Sequence, residues 1–165
     1  TSMRMRHLTV AMAVAAAVAC QPSTPPTGAQ RSRIVTQVDS VISDLYQAMN
    51  AHDADAVMSH YLPGDTFLYV GVSDVLQGHE AYAGTMGPWY RAHPDVTFEY
   101  GILHTQALSP TTATVTVKAS TEESPYLTTT RTLVLQDGQW FIALEHESWP
   151  GAEVPGAGHP GTESP

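Results

Sequence analysis

The sequence predicts one α+β domain in which the helices come first and the strands come last. Apolar residues recur at helical spacing in the first part of the domain. β-Branched and aromatic runs separated by turn residues fill residues 96–149. Because helices and strands are segregated along the chain, we expect the helices to cover one face of a strongly bent antiparallel sheet. The predicted domain spans residues 33–149.

Two helices are predicted ahead of the first strand. Apolar residues at three- and four-residue steps predict an amphipathic helix over residues 32–50. Asp53 is a suitable N-cap for a second, shorter helix that continues to His60. Pro63 and Gly64 then end the helical region, since neither residue suits a helix interior.

A hairpin and a third helix are predicted next. Residues 66–72 and 75–77 are rich in strand-forming residues, and Ser73-Asp74 between them is a turn sequence. A helical stretch over residues 78–92 follows. Two glycines and Pro88 disfavour the second half of that stretch.

Four strands are predicted for the rest of the domain. They span residues 96–107, 113–121, 126–136 and 139–149. Asp137-Gly138 lies between the last two strands and is a strong signal for a two-residue hairpin. The four strands are therefore expected to form an antiparallel meander after the helices.

The N-terminal region has the layout of a secretory signal. A short basic segment over residues 3–7 precedes an apolar run over residues 8–19 that is too short to span a bilayer. Small residues close this run, and Cys20, the only cysteine of the chain, follows at once. This arrangement resembles the lipobox of bacterial lipoproteins, in which the thiol is lipidated and the chain is cut before it.

The lipobox resemblance implies a protein of the bacterial cell envelope. It implies a signal peptide over residues 1–19 and a lipid on Cys20, followed by a flexible Pro-, Ser- and Thr-rich linker to residue 32. Gln21 rather than Asp after the cysteine favours an outer membrane location, facing the periplasm. The alternative is an ordinary signal peptide with an incidental cysteine. Residues 150–165 form a Gly- and Pro-rich tail that we expect to be disordered.

Composition narrows the possible partners. Seven Lys and Arg against sixteen Asp and Glu give a formal net charge of −9. The basic residues are scattered, which argues against nucleic acid as a partner, because nucleic acid binding needs clustered cations. Lipidation of Cys20 would leave no thiol for a disulfide, redox chemistry or nucleophilic catalysis.

Two segments carry a resemblance to a known family. One covers residues 51–56 (Ala-His-Asp-Ala-Asp-Ala) with Phe67-Leu68-Tyr69 after it. The other covers residues 137–142 (Asp-Gly-Gln-Trp-Phe-Ile) with His146 after it. Together they resemble a SnoaL-like domain of the nuclear-transport-factor-2-like (NTF2-like) superfamily, which includes ketosteroid isomerase. The resemblance implies a cone-shaped fold, in which a bent sheet wraps over three helices around an apolar pocket.

The resemblance also implies which residues face that pocket. It places the Trp140 side of the last strand and the Thr132 side of the preceding strand inward. We expect an apolar or aromatic small molecule as ligand, because aromatic walls with a few polar groups suit such molecules. The predicted pocket residues are Tyr46, Tyr61, Tyr69, Trp89, Tyr90, His104, Thr130, Thr132, Trp140, His146 and Ser148.

His146 is the best candidate for a catalytic residue. An inward histidine beside Ser148 could orient a ligand or move a proton near neutral pH. The alternative is a buried histidine that only satisfies a neighbouring polar group. Ketosteroid isomerase places its carboxylate base late on the first strand, and the matching residues 67–71 contain no acid. The missing acid favours binding over isomerisation.

No metal or cofactor site is predicted. The histidines are scattered along the sequence, and none forms a His-x-x-x-His pair with a nearby carboxylate on one helix. The sequence also contains no phosphate-binding glycine loop and no serine nucleophile motif. We therefore expect any chemistry to come from the protein's own side chains.

Three functions are compatible with the sequence. The first is an envelope lipoprotein that binds an apolar molecule without catalysis. The second is a SnoaL-like isomerase, cyclase or hydrolase that uses His146 with a pocket tyrosine. The third is an interaction module that forms a homodimer through the outer sheet face, with Leu133, Leu135 and Phe141 as apolar anchors. The missing acid places the first ahead of the second.

Overall fold

Three helices and six strands make up the described part of the domain. The computed structural model describes residues 25–122 and 127–149. The helices are α1 (Gly28–Asn50), α2 (Ala54–Met58) and α3 (His79–Ala92). The strands are β1 (Leu68–Val70), β2 (Val75–Gln77), β3 (Glu99–Ser109), β4 (Thr112–Ser120), β5 (Leu127–Gln136) and β6 (Gln139–Ser148). The predicted α+β fold, with N-terminal helices and a bent sheet, is confirmed.

Helix α1 begins at Gly28, four residues earlier than predicted. Thr27 and Gln30 form a capping box, in which each side chain accepts a hydrogen bond from the other residue's backbone N–H. This reciprocal cap stabilises the first turn. Residues 28–32 of the predicted linker are therefore helical, and Thr27-x-x-Gln30 is the sequence signal that marks the start.

The two shorter helices differ from the predictions in their lengths. Asp53 caps α2 as predicted, since its carboxylate accepts the Ala56 N–H at 3.0 Å, but α2 ends at Met58. The two glycines and Pro88 do not interrupt the second half of α3, because the helix continues through Pro88 to Ala92. Tyr90 in that half is buried, and tertiary packing of this kind outweighs low helix propensity.

The sheet has the strand order β2-β1-β6-β5-β4-β3. Neighbouring strands are antiparallel with one exception, because β1 and β6 run parallel. The sheet was expected to be antiparallel throughout. The parallel pair arises because α3 and the meander form a long crossover between β1 and β6, and parallel pairing requires such a connection.

The β5–β6 hairpin has the predicted two-residue turn. Asp137 and Gly138 both have positive φ, at 52° and 84°, as the turn type that suits hairpins requires. The turn places Gln136 opposite Gln139 and Leu133 opposite Ile142. It therefore fixes which residues of the two strands share a face.

A bulge interrupts this hairpin at Ala143. Leu133 pairs with Ile142, whereas the preceding residue, Thr132, pairs with Leu144, so Ala143 has no partner. An extra residue in one strand reverses the alternation of its side chains beyond that point. The inward side chains of β6 are therefore Trp140 and Ile142 before the bulge, and Glu145 and Glu147 after it.

The core lies between α1 and the inner sheet face. Ile42 and Leu45 of α1 are fully buried, as are Val115 and Val117 of β4. Leu133 is also fully buried, so it is not an outward dimer anchor as predicted. The other two predicted anchors, Leu135 and Phe141, are partly buried and pack against the core. The homodimer itself stays a prediction.

Several predictions concern residues outside the described ranges. These are the signal peptide over residues 1–19, the lipidated Cys20 and the tail over residues 150–165. Within residues 25–122 and 127–149, no helix is both long and apolar enough to cross a membrane. The envelope location is therefore carried by the sequence pattern alone.

Candidate functional site

A cavity of about 450 Å³ lies between α1, α3 and the sheet. Its volume falls within the range of small-molecule binding pockets. Most of its wall is apolar, with Met49, Met86, Val96, Ala119 and Leu127 among the contributors. Six aromatic residues also line it: Tyr46, Tyr69, Trp89, Tyr90, Phe98 and Trp149. The polar lining residues are His93, Ser120, Thr121, Arg131 and Glu147.

Ring contacts hold several of these aromatic walls in place. Trp89 stacks on His93 with centroids 4.6 Å apart and meets Tyr90 edge-on at 5.2 Å. Tyr46 stacks on Tyr100 of β3 at 4.2 Å, with an angle of 6° between the rings. Such contacts stabilise the rings beyond the burial of their area. The cavity walls are therefore fixed by packing rather than by a ligand.

Glu147 is the carboxylic acid that lines the cavity. The Tyr69 hydroxyl, brought alongside by the β1–β6 pair, donates to Glu147 Oε2 at 2.7 Å. Burial raises the pKa of Glu147 to about 7, and the negative charge of Glu145 adds to this shift. The Tyr69 hydrogen bond and the Arg131 charge act in the opposite direction. At neutral pH both forms of the Glu147 carboxyl are therefore populated.

Beneath Glu147 lies a buried ion pair. Arg131 of β5 and Glu145 of β6 stand opposite each other, with Nε–Oε2 and Nη2–Oε1 distances both 3.0 Å. Burial lowers the pKa of Arg131, but the charge and hydrogen bonds of Glu145, together with the Tyr46 and Tyr61 hydroxyls, outweigh this and raise it. The pair therefore stays ionised, and its two parallel hydrogen bonds compensate for lost hydration.

Two tyrosines complete the surroundings of Glu145. The Tyr61 hydroxyl donates to Glu145 Oε2 at 2.8 Å, and the Tyr82 hydroxyl donates to Tyr61 at 3.2 Å. Burial raises the pKa of both hydroxyls well above its usual value, so both stay protonated and can donate. This chain fixes the carboxylate in one orientation, and the carboxylate in turn fixes Arg131.

One guanidinium nitrogen of Arg131 has no hydrogen bond in the described part of the chain. This atom, Nη1, is buried and unpartnered. The Arg131 Cζ lies 5.6 Å from the centroid of the Tyr46 ring, within the range of a cation–π interaction. Burial raises the pKa of the Tyr46 hydroxyl, while the Arg131 charge opposes that shift. The ring of Tyr46 thus partly compensates for the missing hydrogen bond.

Several predicted pocket residues are placed at the cavity. Tyr46, Tyr69, Trp89 and Tyr90 line it. Tyr61 lies beneath it and contacts the ion pair rather than the cavity. Tyr46, Trp89 and Tyr90 lie on helices and Tyr69 lies on β1, where the inward direction follows from simple apolar periodicity. Tyr61 lies after α2, in an isolated bridge to Ile142.

The other predicted pocket residues lie elsewhere. Trp140 is buried in the core before the bulge, and its indole N–H donates to Gln37 Oε1 at 3.3 Å. His146 and Ser148 are exposed, because the bulge at Ala143 turns them to the outer face. His104 is also exposed, and Thr130 and Thr132 are only partly buried. None of these residues lines the cavity. His146 therefore cannot reach a ligand there in this structure.

The two acids of β6 are the functional groups that the sequence analysis missed. Strict alternation with Trp140 inward places both on the outer face. Residues 67–71 contain no acid, as stated from the sequence, but β6 supplies one to the cavity instead. A signal was available in Arg131, a lone cation between strand-forming residues. The two-residue turn places Arg131 nearly opposite Glu145 on the neighbouring strand. Opposite charges that face each other within apolar strands indicate a buried ion pair.

The described residues contain no cluster of side chains suited to a metal ion. In residues 25–122 and 127–149, no three His, Cys, Asp or Glu side chains converge closely enough to hold a metal ion. The cavity's accessible acid is Glu147, and its neighbours are hydroxyls, aromatic rings and one neutralised guanidinium. This set can bind a small molecule, donate or accept a proton, or pair with a positive charge.

Comparison with known families assigns the domain. The family model for the SnoaL-like domain matches residues 38–152. The chain belongs to the SnoaL-like family. The match covers the second part of α1, the other two helices and all six described strands, so the resemblance predicted from the sequence is confirmed. Among curated proteins, none matches this chain.

Solved structures share the fold of this SnoaL-like domain at low sequence identity. An NTF-2 like protein of unknown function from Shewanella oneidensis MR-1 is 19% identical, with a TM-score of 0.60, over 68% of this chain and 97% of its own. A domain of unknown function with a cystatin-like fold from Nostoc punctiforme PCC 73102 is 14% identical, with a TM-score of 0.60, over 74% and 78%. A ketosteroid isomerase-like protein from Erwinia carotovora atroseptica SCRI1043 is 17% identical, with a TM-score of 0.54, over 69% and 94%. These likenesses support the fold alone.

Proposed function

We propose that this domain binds a small, largely apolar or aromatic molecule in the cavity between α1, α3 and the sheet. The observation that carries the proposal is the cavity itself, about 450 Å³ in volume and lined by six aromatic residues. A ligand in such a site is held mainly by burial of apolar surface, and a few polar groups orient it. Glu147 and the Tyr69 hydroxyl supply that orientation.

A cavity-filling variant tests this proposal. Ala119 is buried on β4 and lines the cavity, so Ala119→Phe should place a ring where the ligand would lie. The neutral dye N-phenyl-1-naphthylamine serves as the probe, and we expect Ala119→Phe to weaken its binding at least about tenfold. Thr116→Phe, on the opposite face of the same strand, is the matched control and should leave dye affinity unchanged. Equal binding by both variants would contradict the cavity assignment.

The natural ligand can be sought directly. Native mass spectrometry of protein purified from its own host would detect a molecule that stays bound. We expect an added mass in the wild-type protein that is lost in Ala119→Phe and kept in Thr116→Phe. An added mass that is kept in both variants would place the ligand outside the cavity.

A second candidate function is proton transfer at Glu147, acting on the bound molecule. The observation that favours it is the pKa of Glu147, raised to about 7, where a carboxyl can both accept and donate a proton. Incorporation of deuterium next to the carbonyl of 2-tetralone in heavy water tests it. Glu147→Gln should abolish any acceleration, whereas His146→Ala, at an exposed position, should keep it. No acceleration by the wild-type protein would leave binding as the function.

We further propose that the domain is held at the bacterial envelope by a lipid on Cys20. The support is the short apolar segment and the small residues that precede this lone cysteine. Cys20→Ala should move the protein from the membrane fraction to the soluble fraction of cells. Continued membrane association of that variant would contradict the anchor. The domain's ligand binding should be the same in both forms.

A further inference from the structure

We propose that the molecule bound in the cavity is a lipophilic cation, an aromatic or apolar body that carries one positively charged nitrogen. This inference rests on the small-molecule binding proposed above and names the class of ligand. Its basis is the placement of the Glu147 carboxyl on a largely apolar cavity wall to which six aromatic residues contribute. A carboxylate among aromatic faces is the arrangement that binds organic ammonium groups.

Charge balance is the first argument. The buried cluster contains one cation, Arg131, and two acids, Glu145 and Glu147. Arg131 is neutralised by Glu145 through two hydrogen bonds of 3.0 Å, so an ionised Glu147 leaves one unmatched negative charge. Because the pKa of Glu147 is raised to about 7, a proton cancels that charge in only part of the molecules at neutral pH. A bound ammonium group would balance it instead, because it can stand beside the ionised carboxylate.

The second argument is that Arg131 does not repel a cation from the cavity. Its side chain is only 2% exposed, and Glu145 faces it on the neighbouring strand. Its guanidinium already lies over the ring of Tyr46, so the walls hold one cation in this way. An anionic ligand should bind more weakly, because the charges of Glu147 and Glu145 would both repel it. The one arginine of the described cavity wall is already paired with Glu145.

The aromatic rings are the third argument. Tyr69, Trp89, Tyr90 and Phe98 line the cavity with Glu147, and ring faces attract organic cations most strongly when water is excluded. The whole chain carries a formal net charge of −9, which raises the local concentration of cations. Both effects favour a positively charged ligand over a neutral molecule of equal shape.

Protonation of Glu147 couples ligand affinity to pH. The cation binds the ionised form, so binding lowers the pKa of Glu147 and releases a proton when the pH is below about 7. Affinity should therefore fall about tenfold per pH unit below 7 and level off above it. The titratable and charged groups around Glu147 are Tyr46 of α1, Tyr69 of β1, Tyr90 of α3, Arg131 of β5 and Glu145 of β6, and His93 at the end of α3 lines the same cavity. The tyrosines stay protonated in this range, because burial raises their pKa values.

The test uses two probes of the same shape in the full chain. Phenyltrimethylammonium carries a permanent charge, and tert-butylbenzene is its neutral isostere. Their dissociation constants are measured by displacement of N-phenyl-1-naphthylamine at pH 8. The preference for the cation is the dissociation constant of tert-butylbenzene divided by that of phenyltrimethylammonium. Glu147→Gln should lower this ratio about tenfold or more, because the cation loses its carboxylate partner. Glu80→Gln, at an exposed position of α3, should leave the ratio unchanged.

The outcomes separate this inference from the proposed function. Failure of both probes and of the dye to bind would overturn the proposed function itself. Binding of both probes with a ratio that Glu147→Gln does not change would overturn only the cation inference. The wild-type ratio should also rise between pH 6 and pH 8, and a flat pH profile would overturn the inference even if Glu147→Gln failed to fold.

Discussion

The two halves of β6 differ although they belong to one strand of one hairpin. Before Ala143, the inward side chains are the apolar Trp140 and Ile142, which fill the core. After it, the inward side chains are Glu145 and Glu147, one in a buried ion pair and one at the cavity. The difference shows that a single unpaired residue separates the part of the strand that fills the core from the part that carries the ion pair and the cavity acid.

Moving the two acids of β6 to the other face should have the largest effect on this division. The bulge absorbs one extra residue, so deletion of Ala143 keeps Glu145 opposite Arg131 and leaves both acids inward. An alanine inserted between Leu144 and Glu145 should instead turn both acids outward and leave Arg131 buried without its carboxylate, so we expect a loss of more than about 4 kcal/mol in the free energy of unfolding. Urea denaturation measures it, and the Ala143 deletion is the control, which should cost clearly less. An insertion variant of nearly wild-type stability would show that the face on which Glu145 lies does not decide the stability of the ion pair.

Breaking the ion pair should be the next largest effect. Arg131→Met leaves the Glu145 carboxylate buried and unpaired, and we expect a loss of about 3–5 kcal/mol in the free energy of unfolding. Adding Glu145→Gln removes the charge while keeping an acceptor for the Tyr61 hydroxyl, and should recover most of the loss. If the double variant is no more stable than Arg131→Met, then the lost packing of the arginine, rather than the unpaired charge, decides stability.

The pH dependence of stability sharpens the contrast between the two acids. Because the folded-state pKa of Glu147 is raised to about 7 from about 4.5, folding favours its protonated form. That contribution is fully present below pH 4.5 and is lost as the pH rises through 7. The free energy of unfolding of Glu147→Gln, relative to that of the wild-type protein, should therefore rise by roughly 2 kcal/mol between pH 5 and pH 8. Parallel curves for the two proteins in urea denaturation would contradict the shifted pKa.

The smallest effect is expected at His146, the residue between the two acids. It is exposed on the outer face, so His146→Ala should change the free energy of unfolding by less than about 0.5 kcal/mol. Dye affinity in the cavity should also stay unchanged. A clear loss of dye affinity would mean that His146 reaches the cavity in solution and would restore it as a candidate.

Much of the fold could be predicted from the sequence because its signals are local. Helical spacing predicted α1, an Asp cap predicted α2, and Asp137-Gly138 predicted the last hairpin. The bulge at Ala143 could not be predicted, since no residue there has a special backbone requirement. The inward face of β5 could have been predicted, because the two-residue turn places Leu133 opposite Ile142 and residues that stand opposite share a face.

The site was harder to predict than the fold for a physical reason. Aromatic pocket residues such as Trp89 and Tyr90 lie on a helix whose inward face follows from periodicity. The acids lie beyond the bulge, where strict alternation assigns every side chain to the wrong face. The identity of the inward residues therefore depended on one bulge. Glu145 and Glu147, which point inward, are adjacent in sequence to the predicted His146 and Ser148. The homodimer and the lipid at Cys20 stay predictions.

The parallel pairing of β1 with β6 has a consequence for how the protein matures. The hydrogen bond from Tyr69 to Glu147 joins residues 78 positions apart, and β6 is the last strand of the described residues. During synthesis, the helices and the first hairpin emerge long before β6 does. A nascent chain that stops short of β6 would present an open sheet edge and a cavity without its acid. The proposed ligand binding therefore requires synthesis to continue through β6.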